Sequence, residues 1–215
     1  MNARRILAAA LALVVFMALP AAALSEKDIE IEKNLGKEAV AEAAKTLKFV
    51  TEGEDVERVQ RIGAELAAIA KTTEVPAIYG SPKLADFEYA FKIVQDDDVN
   101  AFAVPAGGIF VNTGLLKRIE SDDELAGVLA HEIAHVAHHH MLHILRKQSQ
   151  IDNAIFLLIA AAAAGNVSGR DMGNIFYGAK LVEIARLNTY SREAEDDADA
   201  TAIEYLCKTK YNPVG

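Results

Sequence analysis

The sequence has one cysteine, no tryptophan and five prolines, and no histidine before position 131 or after position 143. A lone cysteine, Cys207, cannot close an internal disulfide, so a packed core must hold the fold. No cysteine sits beside the amino-terminal apolar run, which excludes lipid attachment there. The remaining apolar runs fall short of the roughly 20 residues that cross a bilayer, which excludes a protein with several membrane spans. Positive charge is also in deficit, with 22 Lys and Arg against 31 Asp and Glu. So acidic a chain is poorly suited to nucleic acid.

What is present points to one exported domain. With 52% hydrophobic residues over 215 positions, the chain can bury one sizeable core. Arg4 and Arg5 precede an apolar run from Ile6 to Leu19, and Ala21-Ala22-Ala23 supplies the small residues of a cleavage site. Residues 1–23 are therefore expected to be a secretory signal peptide, and residues 24–215 the mature domain. Losing the first 23 residues removes two positive charges and no negative one, taking the formal charge from −9 to −11. A soluble periplasmic protein with no need of membrane association is the expected product. The sequence stops at Asn212-Pro213-Val214-Gly215, which reads like the middle of a loop, so a longer protein is expected.

Helical spacing of apolar residues runs from Asp28 to Phe49 and again from Val56 to Ile69. The period changes to two between Phe87 and Val94, and Ala101 to Val104 and Gly108 to Val111 are also strand-like, with a turn at Pro105 to Gly108. Ser121 followed by Glu124 is a capping-box signature, and it predicts one helix from 122 to about 146. Ala154 to Ala164, about half a membrane span, reads as a buried or lid-forming helix. Asp171 to Leu187 and Arg192 to Leu206 both read as helical.

The helix from 122 carries His131-Glu132-Ile133-Ala134-His135. Residues four apart lie on one helix face, so both imidazoles can share one ion, while Glu132 is turned toward water at that ion rather than the ion itself. The pattern alone arises by chance in on the order of one sequence in a hundred. Its context strengthens it: His131, His135, His138, His139, His140 and His143 are all the histidines of the protein. Catalytic zinc takes three protein ligands and keeps one open position. The run Ser191 to Asp199 offers carboxylates for the third, with Glu195 and Asp199 sharing a helix face, one as ligand and the other as hydrogen-bond acceptor for a ligand histidine. Spacing does not choose between Glu193 and Glu195.

These stretches resemble family 48 of the metallopeptidases, the gluzincins that include HtpX-like and CAAX-prenyl-protease-like enzymes, and specifically their exported, BepA-like periplasmic branch. The likeness lies in Asn100 to Ala103 with Pro105, Gly107 to Leu115, Glu124 to Ala130 leading into the zinc motif, and Ser191 to Asp199. It implies an α+β, mainly helical zincin fold with a small β-sheet beside the zinc-binding helix. It implies one Zn2+ per chain held by His131, His135 and Glu195, with Glu132 as general base and Asp199 behind a ligand. Tyr190 and Arg192 become candidates for stabilising the tetrahedral intermediate. Gly107, Gly108, Ile109, Phe110 and Val111 become a candidate substrate-binding strand that takes an extended peptide on an open edge. Where the family frequently has arginine then histidine, this sequence has His139 and His140, a departure expected to affect local packing and not the ligands.

The function this implies is a zinc-dependent metalloendopeptidase acting on unfolded or misassembled envelope proteins, with envelope or outer-membrane proteins as partners. One rival is a chaperone-like assembly factor that keeps a zinc site and cleaves little, which the presence of Glu132 opposes. Another is metal storage by the histidine cluster, which requires several ions per chain.

Overall fold

The computed structural model describes residues 24–149, 170–187 and 190–214. The signal-peptide segment 1–23 and the apolar run Ala154 to Ala164 lie outside the described residues. In chain order the elements are α1 (Glu26–Thr46), β1 (Phe49–Val50), α2 (Glu54–Ala70), β2 (Ala90–Val94), β3 (Ala101–Val104), a single 3-10 turn at Pro105–Gly107, and β4 (Gly108–Asn112). Then follow α3 (Thr113–Leu116), α4 (Asp122–Ala137), α5 (His140–Ser149), α6 (Arg170–Arg186) and α7 (Arg192–Leu206). The fold is mainly helical, with one small mixed sheet, as expected.

The sheet order is β1-β2-β4-β3. β4 runs parallel to β2 and antiparallel to β3, so both of its edges are paired. This corrects the reading of Gly107 to Val111 as an open strand for substrate. Every residue of β4 is buried, and an unbroken apolar run is the signature of a strand covered on both faces. Ile109 and Val111 join a core with Ile93, Leu125, Leu129 and Ile133, while Phe110 joins Phe102, Val104, Leu35 and Leu181 on the opposite face. The sheet is thus enclosed by α2 and α4 on one side and α1 and α6 on the other. Phe102 and Phe110 stack at a centroid distance of 5.0 Å. The β3–β4 hairpin turns through Ala106 at φ 61° and Gly107 at φ 107°. A Cβ on Gly107 would come within 2.9 Å of the Glu88 carbonyl oxygen, so glycine is needed there both for its φ and for its size.

Three other expectations shift. The first helix stops at Thr46, and Phe49 enters the two-residue β1, paired with Val94. The strand predicted from Phe87 begins only at Ala90. The helix predicted over 122 to 146 breaks: α4 ends at Ala137, His139 takes φ 58°, and α5 starts at His140. The physical reason lies in what the side chains of these residues bind. The start of α4 follows the sequence, since the Ser121 side chain accepts from the Glu124 N–H at 3.1 Å. The Glu124 carboxylate reaches the Glu120 N–H at 2.7 Å rather than that of Ser121, so only half of the expected box forms.

Because β4 is interior, proline at Ile109, Phe110 or Val111 should unfold the sheet alike. Each substitution orphans a buried backbone acceptor at a cost of about 1–3 kcal/mol before any steric effect. Urea unfolding midpoints read this directly. A Phe110→Pro protein with the native midpoint would contradict the pairing.

Candidate metal and catalytic centre

α4 presents the first two side chains because its opposite face is fixed in the core, with Leu125, Leu129, Ala130 and Ile133 fully buried. α7 packs along it, with Ser191 capping its first turn by accepting from the Ala194 N–H. This brings Glu195 to the two histidines. His131 Nε2 and His135 Nε2 are 2.9 Å apart. Glu195 Oε2 lies 3.3 Å from His131 Nε2, and its Oε1 3.8 Å from His135 Nε2. Glu193, one of the two open choices in the sequence, is exposed and outside this group.

The protons of the two rings decide what the cluster can do. His131 Nδ1 is 2.8 Å from Asp199 Oδ1, a carboxylate that can only accept, so Nδ1 carries a proton and Nε2 is the nitrogen left to bind a metal. His135 is buried, and its pKa is pushed down to about 2, first by burial and then by the neighbouring His131 and His140 rings. Two ring nitrogens and a carboxylate therefore face one point, an arrangement that can hold a cation once neither Nε2 carries a proton. The donor set of two imidazoles and one carboxylate suits zinc with an open position, so the residues present fit the group.

Glu132 sits beside the cluster, buried, with its Oε2 lacking a hydrogen-bond partner among the described residues. Burial raises its pKa to about 7; the His131 ring opposes, Glu195 adds to the rise, and the Ala103 N–H opposes. A carboxylate near neutrality with a free acceptor is equipped to take a proton. Tyr190 stacks on His135, with ring centroids 3.9 Å apart and an interplanar angle of 15°. Its pKa is raised, first by burial and then by Glu132 and Glu195, so the phenol keeps its proton. Arg192 is exposed and forms no hydrogen bond or ion pair among the described residues.

The other histidines serve different ends. His138 Nδ1 lies 2.5 Å from Asp197 Oδ2 and its Nε2 3.1 Å from the Val75 carbonyl. His139 Nδ1 lies 2.5 Å from Glu32 Oε2 and its Nε2 2.8 Å from the Lys83 carbonyl. His140 Nε2 lies 3.2 Å from the Tyr79 carbonyl. Three consecutive histidines thus pin the long irregular segment between α2 and β2 at three carbonyls, which explains why the helix breaks where it does. The segment comes so close that a Cβ on Gly80, itself at φ 80°, would lie 2.1 Å from the His138 carbonyl oxygen. His138, His140 and Asp197 also have the makings of a metal cluster. Unlike the ligand atoms of the first group, which meet only one another, its atoms also have hydrogen-bond partners outside the cluster: Asp197 accepts from the Ile78 and Tyr79 N–H groups as well as from both rings, and the rings face the Val75 and Tyr79 carbonyls. Burial would raise the Asp197 carboxyl, but the hydrogen bonds from His140, His138 and Ile78 outweigh it and hold it well below the usual carboxylate range. Storage of several ions finds no vacant donors here. Nothing in the spacing of the sequence marked Asp197 or Glu32, since their partners lie 57 to 107 residues away.

Comparison with known proteins places the chain in a family. The chain is 27% identical over 157 residues to a "putative beta-barrel assembly-enhancing protease" of Vibrio cholerae, covering 73% of this chain and 30% of that protein. It is 28% identical over 130 residues to the mitochondrial metalloendopeptidase OMA1 of Schizosaccharomyces pombe, covering 60% of this chain and 36% of that protein. It is 31% identical over 156 residues to the metalloprotease YcaL of Escherichia coli, covering 72% of this chain and 56% of that protein. The chain therefore spans about a third of the first two relatives and just over half of the third. The family described as Peptidase family M48 matches residues 55–215, and the chain belongs to it.

Proposed function

We propose that this chain is a zinc-dependent metalloendopeptidase of the periplasm, exported by the signal peptide at residues 1–23, that cleaves unfolded or misassembled envelope proteins. The observation that carries the reading is the meeting of the His131 and His135 Nε2 atoms and the Glu195 carboxylate beside Glu132, whose Oε2 has no hydrogen-bond partner among the described residues. His131, His135 and Glu195 would hold one zinc, with Asp199 behind His131. When bound, zinc supplies a Lewis acid that makes water more acidic and polarises a carbonyl. Glu132 Oε2 takes the proton of the attacking water and returns it to the leaving nitrogen as the peptide bond breaks. Tyr190 keeps a proton to donate to the developing oxyanion and is better placed for this than the exposed Arg192.

Substrate would lie along β3 rather than β4. The Asn112 N–H donates to the Asn100 carbonyl, and Phe102 faces Phe110 in the register, so the backbone groups of Ala101 and Ala103 point away from β4. That is the side on which the Ala103 N–H meets Glu132. A peptide added on this edge would be held through its main chain, with little dependence on side chains. Relatives named for enhancing β-barrel assembly support envelope proteins as substrates or partners. No helix among the described residues is long and apolar enough to cross a membrane. The second reading is a chaperone-like factor with little proteolysis. The partnerless acceptor on Glu132 favours the peptidase.

Glu132→Gln should keep zinc and lose hydrolysis of an unfolded protein by on the order of a hundred- to ten-thousand-fold, because the amide cannot take a proton. Turnover near the native rate in that variant would remove Glu132 from its role, and a native protein without turnover would favour the chaperone-like factor. Zinc content per chain checks the ligands. Glu195→Ala should lose the metal and Glu193→Ala should keep it, while Asp199→Ala should bind about 10 to 100 times more weakly. Equal loss at positions 193 and 195 would refute the assignment.

A further inference from the structure

We infer that His140 is a positioning residue for the metal site: it holds His135 in the tautomer whose Nε2 lone pair faces His131 and Glu195. The inference rests on the zinc reading above. Asp199 plays the equivalent part for His131, but among the described residues no carboxylate is hydrogen-bonded to His135 Nδ1. Its partner is another imidazole, His140 Nδ1, at 2.8 Å, with ring centroids 5.0 Å apart and planes at 76°. A hydrogen bond between two imidazoles can run in either direction, so something further along must choose.

The choice comes from the far side of His140. Its Nε2 faces two acceptors, Asp197 Oδ2 at 2.9 Å and the Tyr79 carbonyl oxygen at 3.2 Å. Neither can donate to it, so Nε2 carries the proton and Nδ1 keeps its lone pair. The bond between the rings then requires the proton to be on His135 Nδ1, which leaves His135 Nε2 bare. With the opposite polarity, an N–H on His135 would aim at His131 Nε2 from 2.9 Å and close the site to any cation. His140 is 0% exposed, so water offers no competing partner. Its placement depends on the break after α4, since a continuous helix would carry His140 onward and away from His135. Asp197, in turn, is held by the Ile78 and Tyr79 N–H groups of the pinned segment. α7 therefore contributes to the centre three times, through Glu195 directly, through Asp199 to His131, and through Asp197 and His140 to His135.

Two substitutions separate this role from simple anchoring of the segment. His140→Asn places a carbonyl oxygen near the position of Nδ1 and keeps an acceptor for His135, but it is too short to reach Asp197. His140→Gln places an amide N–H near the position of Nε2 and keeps the reach to Asp197, but offers His135 no acceptor. Zinc affinity is measured by competition with a chelator, and the His135 tautomer by long-range 1H-15N spectra of the metal-free protein. Native protein should show the Nδ1–H form of His135. The Asn variant should keep that form and bind zinc within a few-fold of native. The Gln variant should lose the preference and bind about 10 to 100 times more weakly. Equal weakening in both variants, or native affinity in the Gln variant, would overturn the inference. Should a variant fail to fold, the native tautomer still decides, because an Nε2–H form of His135 contradicts the inference outright. If native protein takes up no zinc at all, the site reading itself fails, separately from the tautomer result.

Discussion

Two imidazole Nε2 atoms are held 2.9 Å apart, a spacing that favours a cation between them when neither carries a proton, and much of this structure maintains that arrangement. The rings point the same way because they are four residues apart on a helix whose other face is locked in the core. Their lone pairs are exposed because each Nδ1 has its own acceptor, Asp199 for one and His140 for the other. A centre of this kind couples metal to folding, since the energy needed to hold like groups together is recovered only when the ion binds.

The helix that carries His131 and His135 could be read from the sequence because both its signals are local. The four-residue spacing and the cap at Ser121 need nothing from the rest of the chain. The third candidate ligand was half legible: the acidic run was plain, but a helix start rich in carboxylates does not say which of them turns inward. α7 settles that by its packing on α4, which buries Ala194 and Ala198 and leaves Glu195 facing the histidines and Glu193 exposed.

The break after Ala137 was not legible. His139 has no local reason to adopt a left-handed φ, which is more usual for glycine or asparagine. It does so because Glu32, Lys83 and Asp197 capture the three histidines of the turn from distant parts of the sequence. The place of β4 was missed for a related reason. Gly108 to Val111 announces a strand, but its neighbours are set by a parallel crossover from β2 and a hairpin from β3, and those long-range pairings leave no mark on the strand beyond its unbroken apolar run.

The two histidine clusters look alike in composition, each with two imidazoles and a carboxylate, and differ in that the second is fully buried and bonded to backbone groups outside itself. Locating the metal in the folded protein is therefore the most direct test of the account. An anomalous difference map at the zinc edge, from a crystal of the zinc-loaded chain, should show a single peak between His131, His135 and Glu195. A peak beside His138, His140 and Asp197, or peaks of equal height at both clusters, would contradict it.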